Sequence, residues 1–285
     1  MSFRKLLGTI ALSMSVSSVA FADTFVFTAI PDQDETRLRA RFDQVASYLQ
    51  EKLGTDVKYV PVKSYAAAVT AFKNNQVQLA WFGGLSGVRA RLLVPGSTAI
   101  AQGYEDQFFV TYLIANTASG LSYSQEFPMG IKGKTFTFGS KGSTSGRLMP
   151  EFHVRAQLGA PNKVFSRVGF SGDHSRTIAL VQSGSFEVGA VNFKVWEKEA
   201  RLGKVDPTKV TVIWQTPTYP DYQWSVRGDV DERYGAGFKG KVRQALLDIK
   251  DKALLEAFPR RSFVPATNDD YQPILDTAKS IGLVD

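Results

Sequence analysis

Apolar and polar positions alternate through residues 24–28, the signature of a first strand. Between residues 36 and 53 the period lengthens. Leu38, Phe42, Val45, Ala46 and Leu49 share one helical face, and Gly54 ends the run. Residues 57–60 read as a second strand. Ser64 then caps a helix that carries Tyr65, Ala68, Val69 and Phe72 on one side. A third strand over residues 77–81 runs into the Phe82-Gly83-Gly84 turn and a helix through Leu92. Strand and helix in alternation predict a parallel sheet in an α/β fold.

The long apolar run over residues 108–115 reads as a strand, and the polar stretch 116–125 after it is the expected crossing into a second lobe. There the alternation resumes, with strands at 134–138, 164–168, 187–191 and 210–214 and helices at 147–158, 175–183 and through Ala200. Pro150 is expected to kink or restart the first of these helices. Residues 216–222, broken by two prolines, are the candidate return crossing. A short strand at 223–226 and helices near 238–250 and 271–281 are expected to pack back on the first lobe. The expected organisation is a leader at 1–22, a first lobe at 23–115, a second at 116–220, and a return to the first over 221–285.

Residues 1–22 read as an export signal. Arg4 and Lys5 precede an apolar, serine-dotted core, and Ala20-Phe21-Ala22 fits a small-x-small cleavage site, so the mature chain is expected to begin at Asp23 in the periplasm. Cysteine is absent, which removes thiol catalysis and zinc-thiolate sites, and the only histidines are His153 and His174. No metal or other cofactor is expected. Without Arg4 and Lys5, 32 basic residues face 27 acidic ones. They are scattered without a basic run, which suits a small anionic ligand and argues against nucleic acid.

The most informative segment is Gly142-Ser143-Thr144-Ser145-Gly146, set between a strand and a helix. Unpaired N–H groups and the helix dipole make such a place an anion site, and three hydroxyls add donors. A serine that merely caps the helix is the plainer alternative. The segment is no Walker loop, since Lys141 precedes Gly142, and no nucleophile elbow, since Thr144 stands at its centre. Ser143, His174 and Asp173 could be assembled into a triad, but Asp173 adjoins His174 and is more simply a helix cap. No catalytic residue is therefore assigned. The remaining turns sit at strand C-termini, where open α/β sheets bind ligands. They are Tyr65, Phe82 and Gly83 in the first lobe, and Ser143, Thr144, Ser145 and the Gly172-Asp173-His174 turn in the second.

Five segments recur in order: Lys63-Ser-Tyr-Ala-Ala-Ala-Val, Gln78-Leu-Ala-Trp-Phe-Gly-Gly, Gly133 through Gly146, Gly169-Phe-Ser-Gly-Asp-His and Val212-Ile-Trp-Gln-Thr-Pro. Together they resemble the phosphate/phosphite/phosphonate substrate-binding proteins of ABC importers, and more narrowly the branch labelled selenate-binding. The resemblance implies a type II periplasmic-binding fold: two α/β lobes, a two-strand hinge and a cleft between them. It implies an oxyanion held by Ser143, Thr144 and Ser145, with Tyr65 from the other lobe and His174 opposite, and a monomer that delivers it to a membrane permease. Relatives that accept an amino group tend to carry an acid where Lys194 aligns. A lysine there favours a compact, fully anionic ligand. A sensory module and an enzyme on the same scaffold are the alternatives.

Overall fold

The structure, a computed structural model, describes residues 23–284. The expected leader and its cleavage site lie outside them. In chain order come β1 (Phe25–Ala29), α1 (Glu35–Leu53), β2 (Val57–Tyr59), α2 (Tyr65–Lys73), β3 (Leu79–Phe82), α3 (Gly84–Leu93) and β4 (Thr98–Gly103). The middle of the chain holds β5 (Thr111–Asn116), β6 (Thr135–Phe138), α4 (Met149–Gln157), α5 (Pro161–Val164), β7 (Arg167–Phe170), α6 (His174–Gln182), β8 (Val188–Asn192), α7 (Phe193–Arg201) and β9 (Val210–Gln215). The last part holds β10 (Gln223–Val226), α8 (Val230–Tyr234), α9 (Phe238–Leu247), α10 (Lys252–Ala257), β11 (Phe263–Pro265) and α11 (Gln272–Ser280).

These strands form two sheets, ordered β11-β4-β10-β3-β1-β2 and β7-β6-β8-β5-β9. β1 pairs in parallel with β2 and β3, and β6 with β7 and β8, while β5 and β10 enter their sheets antiparallel. Capping side chains fix several helix starts. Asp34, Ser64, Asp173 and Asn192 each accept a hydrogen bond from a first-turn N–H, supplying a partner that the helix itself cannot. The first lobe's core is aromatic, with Phe27, Phe42, Trp81, Trp224 and Phe258 in mutual contact. The second lobe stacks Phe136 on Phe165 and packs Phe136 against Phe138.

The two crossings run side by side. Phe109 and Tyr219 exchange both backbone hydrogen bonds at 2.9 and 3.0 Å, giving the two-strand hinge of a type II periplasmic-binding fold. Sheet membership departs from the expected boundaries. β5 belongs to the second sheet, so the chain crosses before Thr111 and not after Ala115; the unbroken apolar run over 108–115 hid the change of sheet. The strand expected at 164–168 lies at Arg167–Phe170, because Pro161 opens a one-turn helix at Pro161–Val164. β4 and β11 carried no recognised signal. Pro150 acts as expected: a wide turn at Thr144–Leu148 gives way to a new helix with Pro150 in its first turn, where no N–H is needed.

Candidate functional site

The loop after β6 meets the loop after β3 at the cleft. Ser143 caps the Thr144–Leu148 turn by accepting from the Gly146 N–H at 2.9 Å, which leaves its own proton free. The Thr144 Oγ1 accepts from the Leu85 N–H at 3.0 Å, joining the lobes. Gly83 stands between them. A Cβ there would come within 3.0 Å of Asp221 Oδ1 and 3.4 Å of Thr144 Oγ1, so the approach requires a glycine or a shift of Asp221. All three hydroxyl residues are buried.

His174 is fully buried at the first position of α6. Burial drives its pKa down to about 4, only partly opposed by Asp32, so the ring is neutral. Its Nδ1 accepts from the Asn192 N–H at 3.3 Å, so the proton sits on Nε2, 3.5 Å from the Ser145 hydroxyl. His174 is thus a neutral donor facing Ser145. Its own N–H donates to the Asp32 carbonyl at 3.0 Å, a second link across the lobes.

Two buried polar atoms complete the cradle. The Tyr65 hydroxyl, on the first residue of α2, faces Ser143 without a hydrogen bond of ordinary geometry. Asp221 comes from the return crossing. Its Oδ1 accepts from the Gly84 N–H at 2.8 Å, while its Oδ2 has no partner. Burial pushes this carboxyl up to about 7, against the restraint of the Gly84 N–H and the Thr144 hydroxyl. Tyr65 and Asp221 are two of the eight buried side-chain polar atoms left unpartnered among the described residues, and Gln33 Oε1 and Arg41 Nε, also between the lobes, are two more. Buried polar groups are nearly always satisfied, so their concentration here marks the place of a polar ligand.

The structure therefore gathers Tyr65, Gly83, Ser143, Thr144, Ser145 and His174. Phe82 is not among them; its side chain is core, packed edge-on against Phe72 at 5.6 Å, because it ends a strand buried on both faces. Lys194 stands apart from the cradle. Its ammonium pairs with Glu197 at 3.6 Å and lies over the Phe193 ring. Asp221 was missed, although an acid framed by Tyr219, Pro220 and Tyr222 in a crossing segment was a signal. A cavity of about 850 Å³ lies alongside and shares Tyr65 and Gly142, but its walls are mainly apolar, with Val69, Leu92, Leu93 and Phe170. The polar groups converge elsewhere.

Residues 27–271 match the family profile of the phosphonate ABC transporter periplasmic substrate-binding protein. The chain belongs to this family. The chain is 39% identical over 265 residues to a probable ABC transporter phosphite binding protein, PhnD1, of Prochlorococcus marinus, covering 90% of this chain and 89% of the relative. The crystal structure of PhnD1 with methylphosphonate superposes with a TM-score of 0.87 at 38% identity, over 92% of this chain and 99% of that one. The phosphonates-binding periplasmic protein of Escherichia coli is 26% identical over 88% of this chain and 75% of its own length. Members of the family are periplasmic substrate-binding components of ABC importers. They capture oxyanions and perform no chemistry on them.

Proposed function

We propose that this chain captures a compact oxyanion of phosphorus able to carry a proton on oxygen near neutral pH, such as phosphate, phosphite or methylphosphonate, and hands it to an inner-membrane permease. The observation that carries this reading is the buried, unpartnered Asp221 Oδ2 beside the Ser143–Ser145 loop. Ser143, Ser145, Tyr65 and His174 offer donors to the ligand's oxygens, with Thr144 holding Leu85 and Asp221 in place. Asp221 offers an acceptor. Phosphate keeps a proton on oxygen through neutral pH, and phosphite and methylphosphonate take one up near neutrality, so each can satisfy both kinds of group. Sulfate and selenate keep none, so Asp221 must first take one up. The selenate reading is therefore disfavoured.

Lys194, Lys198 and Arg41 beside the cradle disfavour an aminoalkyl substituent, whose ammonium would meet like charge. About five charge-assisted hydrogen bonds at roughly 1.5–3 kcal/mol each total about 7.5–15 kcal/mol, so micromolar binding calls for the upper part of that range and a small association cost, as a pre-formed cradle provides. Closure is supported from outside the cradle by the Arg37–Glu199 ion pair and the Asn192–Tyr222 hydrogen bond, both of which span the lobes. Export with cleavage after Ala22 belongs to the same reading, and mass spectrometry of the exported chain checks it.

The test is calorimetry at pH 8 with phosphite, methylphosphonate, phosphate, sulfate and selenate. Tight binding of at least one phosphorus oxyanion and weak binding of sulfate and selenate is expected. Preference for selenate or sulfate would overturn the reading.

A further inference from the structure

Beside the cradle the closed lobes enclose a second space of about 10 Å³, walled by Gln33, Arg41 and Arg260 from one lobe and Asn192, Lys194 and Lys198 from the other. That volume takes one water-sized or halide-sized particle. Its charges do not balance. Arg260 is held by Asp106 at 2.6 and 2.8 Å, and Lys194 by Glu197. Arg41 and Lys198 are left facing a single carboxylate, Asp32, with which neither forms an ion pair among the described residues. Arg41 is 4% exposed, its guanidinium lies against the Phe42 and Phe258 rings, and its Nε has no partner. A buried cation in this state calls for an anion.

We propose that this chamber is a second anion site, taking one small monoanionic group, and that filling it favours the closed form. Arg41 stands on α1 of the first lobe and Lys198 on α7 of the second, so closure brings two like charges together. Lys198 registers this: burial first, then Arg41 and Arg37, bring its pKa down to about 8. An anion between them turns the repulsion into a bridge. Because the chamber has both walls only when the lobes meet, its occupant raises affinity for the ligand in the cradle. The group is either a free halide-sized ion or the distal carboxylate of the captured ligand itself.

The inference rests on the capture reading for its reporter ligand. Methylphosphonate is titrated at one ionic strength in chloride and in gluconate, with wild type and Lys198→Met, and phosphonoacetate is titrated in gluconate. Crystals soaked in bromide locate the ion by anomalous scattering. A free-ion site gives severalfold tighter methylphosphonate binding in chloride, lost in Lys198→Met, and a bromide peak between Arg41 and Lys198. A site for the ligand's carboxylate gives no chloride effect, but phosphonoacetate then binds severalfold tighter than methylphosphonate in wild type and not in Lys198→Met. The proposal is overturned if neither difference is seen, if a difference survives Lys198→Met, or if bromide occupies the chamber as an adventitious ion only, with no effect on affinity. If methylphosphonate fails to bind, phosphite or phosphate serves as the reporter; if none of the three binds, the capture reading falls, and the bromide peak alone decides whether the chamber holds an anion.

Discussion

Replacing Asp221 by asparagine removes the carboxylate from the cradle while keeping its size, and the Gly84 N–H can still donate to the amide oxygen. The other end of the side chain then becomes a donor. A ligand that presents a proton loses a charge-assisted hydrogen bond of roughly 1.5–3 kcal/mol, or about 10- to 150-fold in affinity. A ligand without a proton gains a donor and loses a like charge. Because Asp221 titrates at about 7, sulfate and selenate bind the wild type only as the carboxyl takes up a proton. Their affinity falls about tenfold per pH unit above 7, and Asp221→Asn abolishes that slope. Isothermal calorimetry with phosphite, methylphosphonate and sulfate between pH 6 and 9 reads both effects. Folding provides an internal control. The folded pKa is raised from 3.8, so Asp221 costs stability progressively as pH rises from about 4 to about 7, by roughly 4 kcal/mol at 1.36 kcal/mol per unit. The ligand-free variant is therefore at least as stable as wild type at pH 8. Equal weakening of phosphite and sulfate, or a lowered melting temperature, would refute the acceptor role.

Tyr65→Phe removes a hydroxyl that has no partner in the ligand-free protein. Affinity should fall about tenfold or more with no loss of ligand-free melting temperature, because the deleted group bonds only to ligand. His174 has its pKa depressed from 6.5 to about 4, so it costs stability as pH falls from about 6.5 to about 4. His174→Gln should flatten that part of a denaturation-versus-pH series. Glu199→Gln breaks the Arg37 pair between the lobes without touching the cradle, and a severalfold loss of affinity with unchanged ligand preference is expected by calorimetry. Arg260→Met leaves Asp106 buried without its partner at the hinge and should cost about 3–5 kcal/mol in urea unfolding.

The hydroxyl loop was legible because its signal is local: a strand, glycines, three hydroxyls and a helix restarted at Pro150. Tyr65 and His174 were legible for the same reason, each standing at a helix start after a capping residue. Asp221 was not, because it reaches Thr144 from 77 positions away through the return crossing and stands before an antiparallel strand with no helix behind it. The pairing of Phe109 with Tyr219, and the bond from the Asp221 N–H to the Asp106 carbonyl at 2.9 Å, bring it there. Phe82 was misplaced because a residue at a strand's end can point to core or cleft, and the pleat decides which. Lys194 was placed by its likeness to relatives, which fixes backbone position but not its pairing with Glu197. The misassigned β5 has the same cause as the missing β4 and β11. An apolar run reveals burial, while sheet membership depends on partners distant in sequence.

The most direct measurement is a crystal structure of the protein with methylphosphonate or phosphite. One oxygen is predicted within hydrogen-bond distance of Asp221 Oδ2, and the others against Tyr65, Ser143, Ser145 and His174 Nε2, satisfying the two orphaned atoms of the cradle together. A ligand bound elsewhere, or one that leaves Asp221 Oδ2 without contact, would contradict the account.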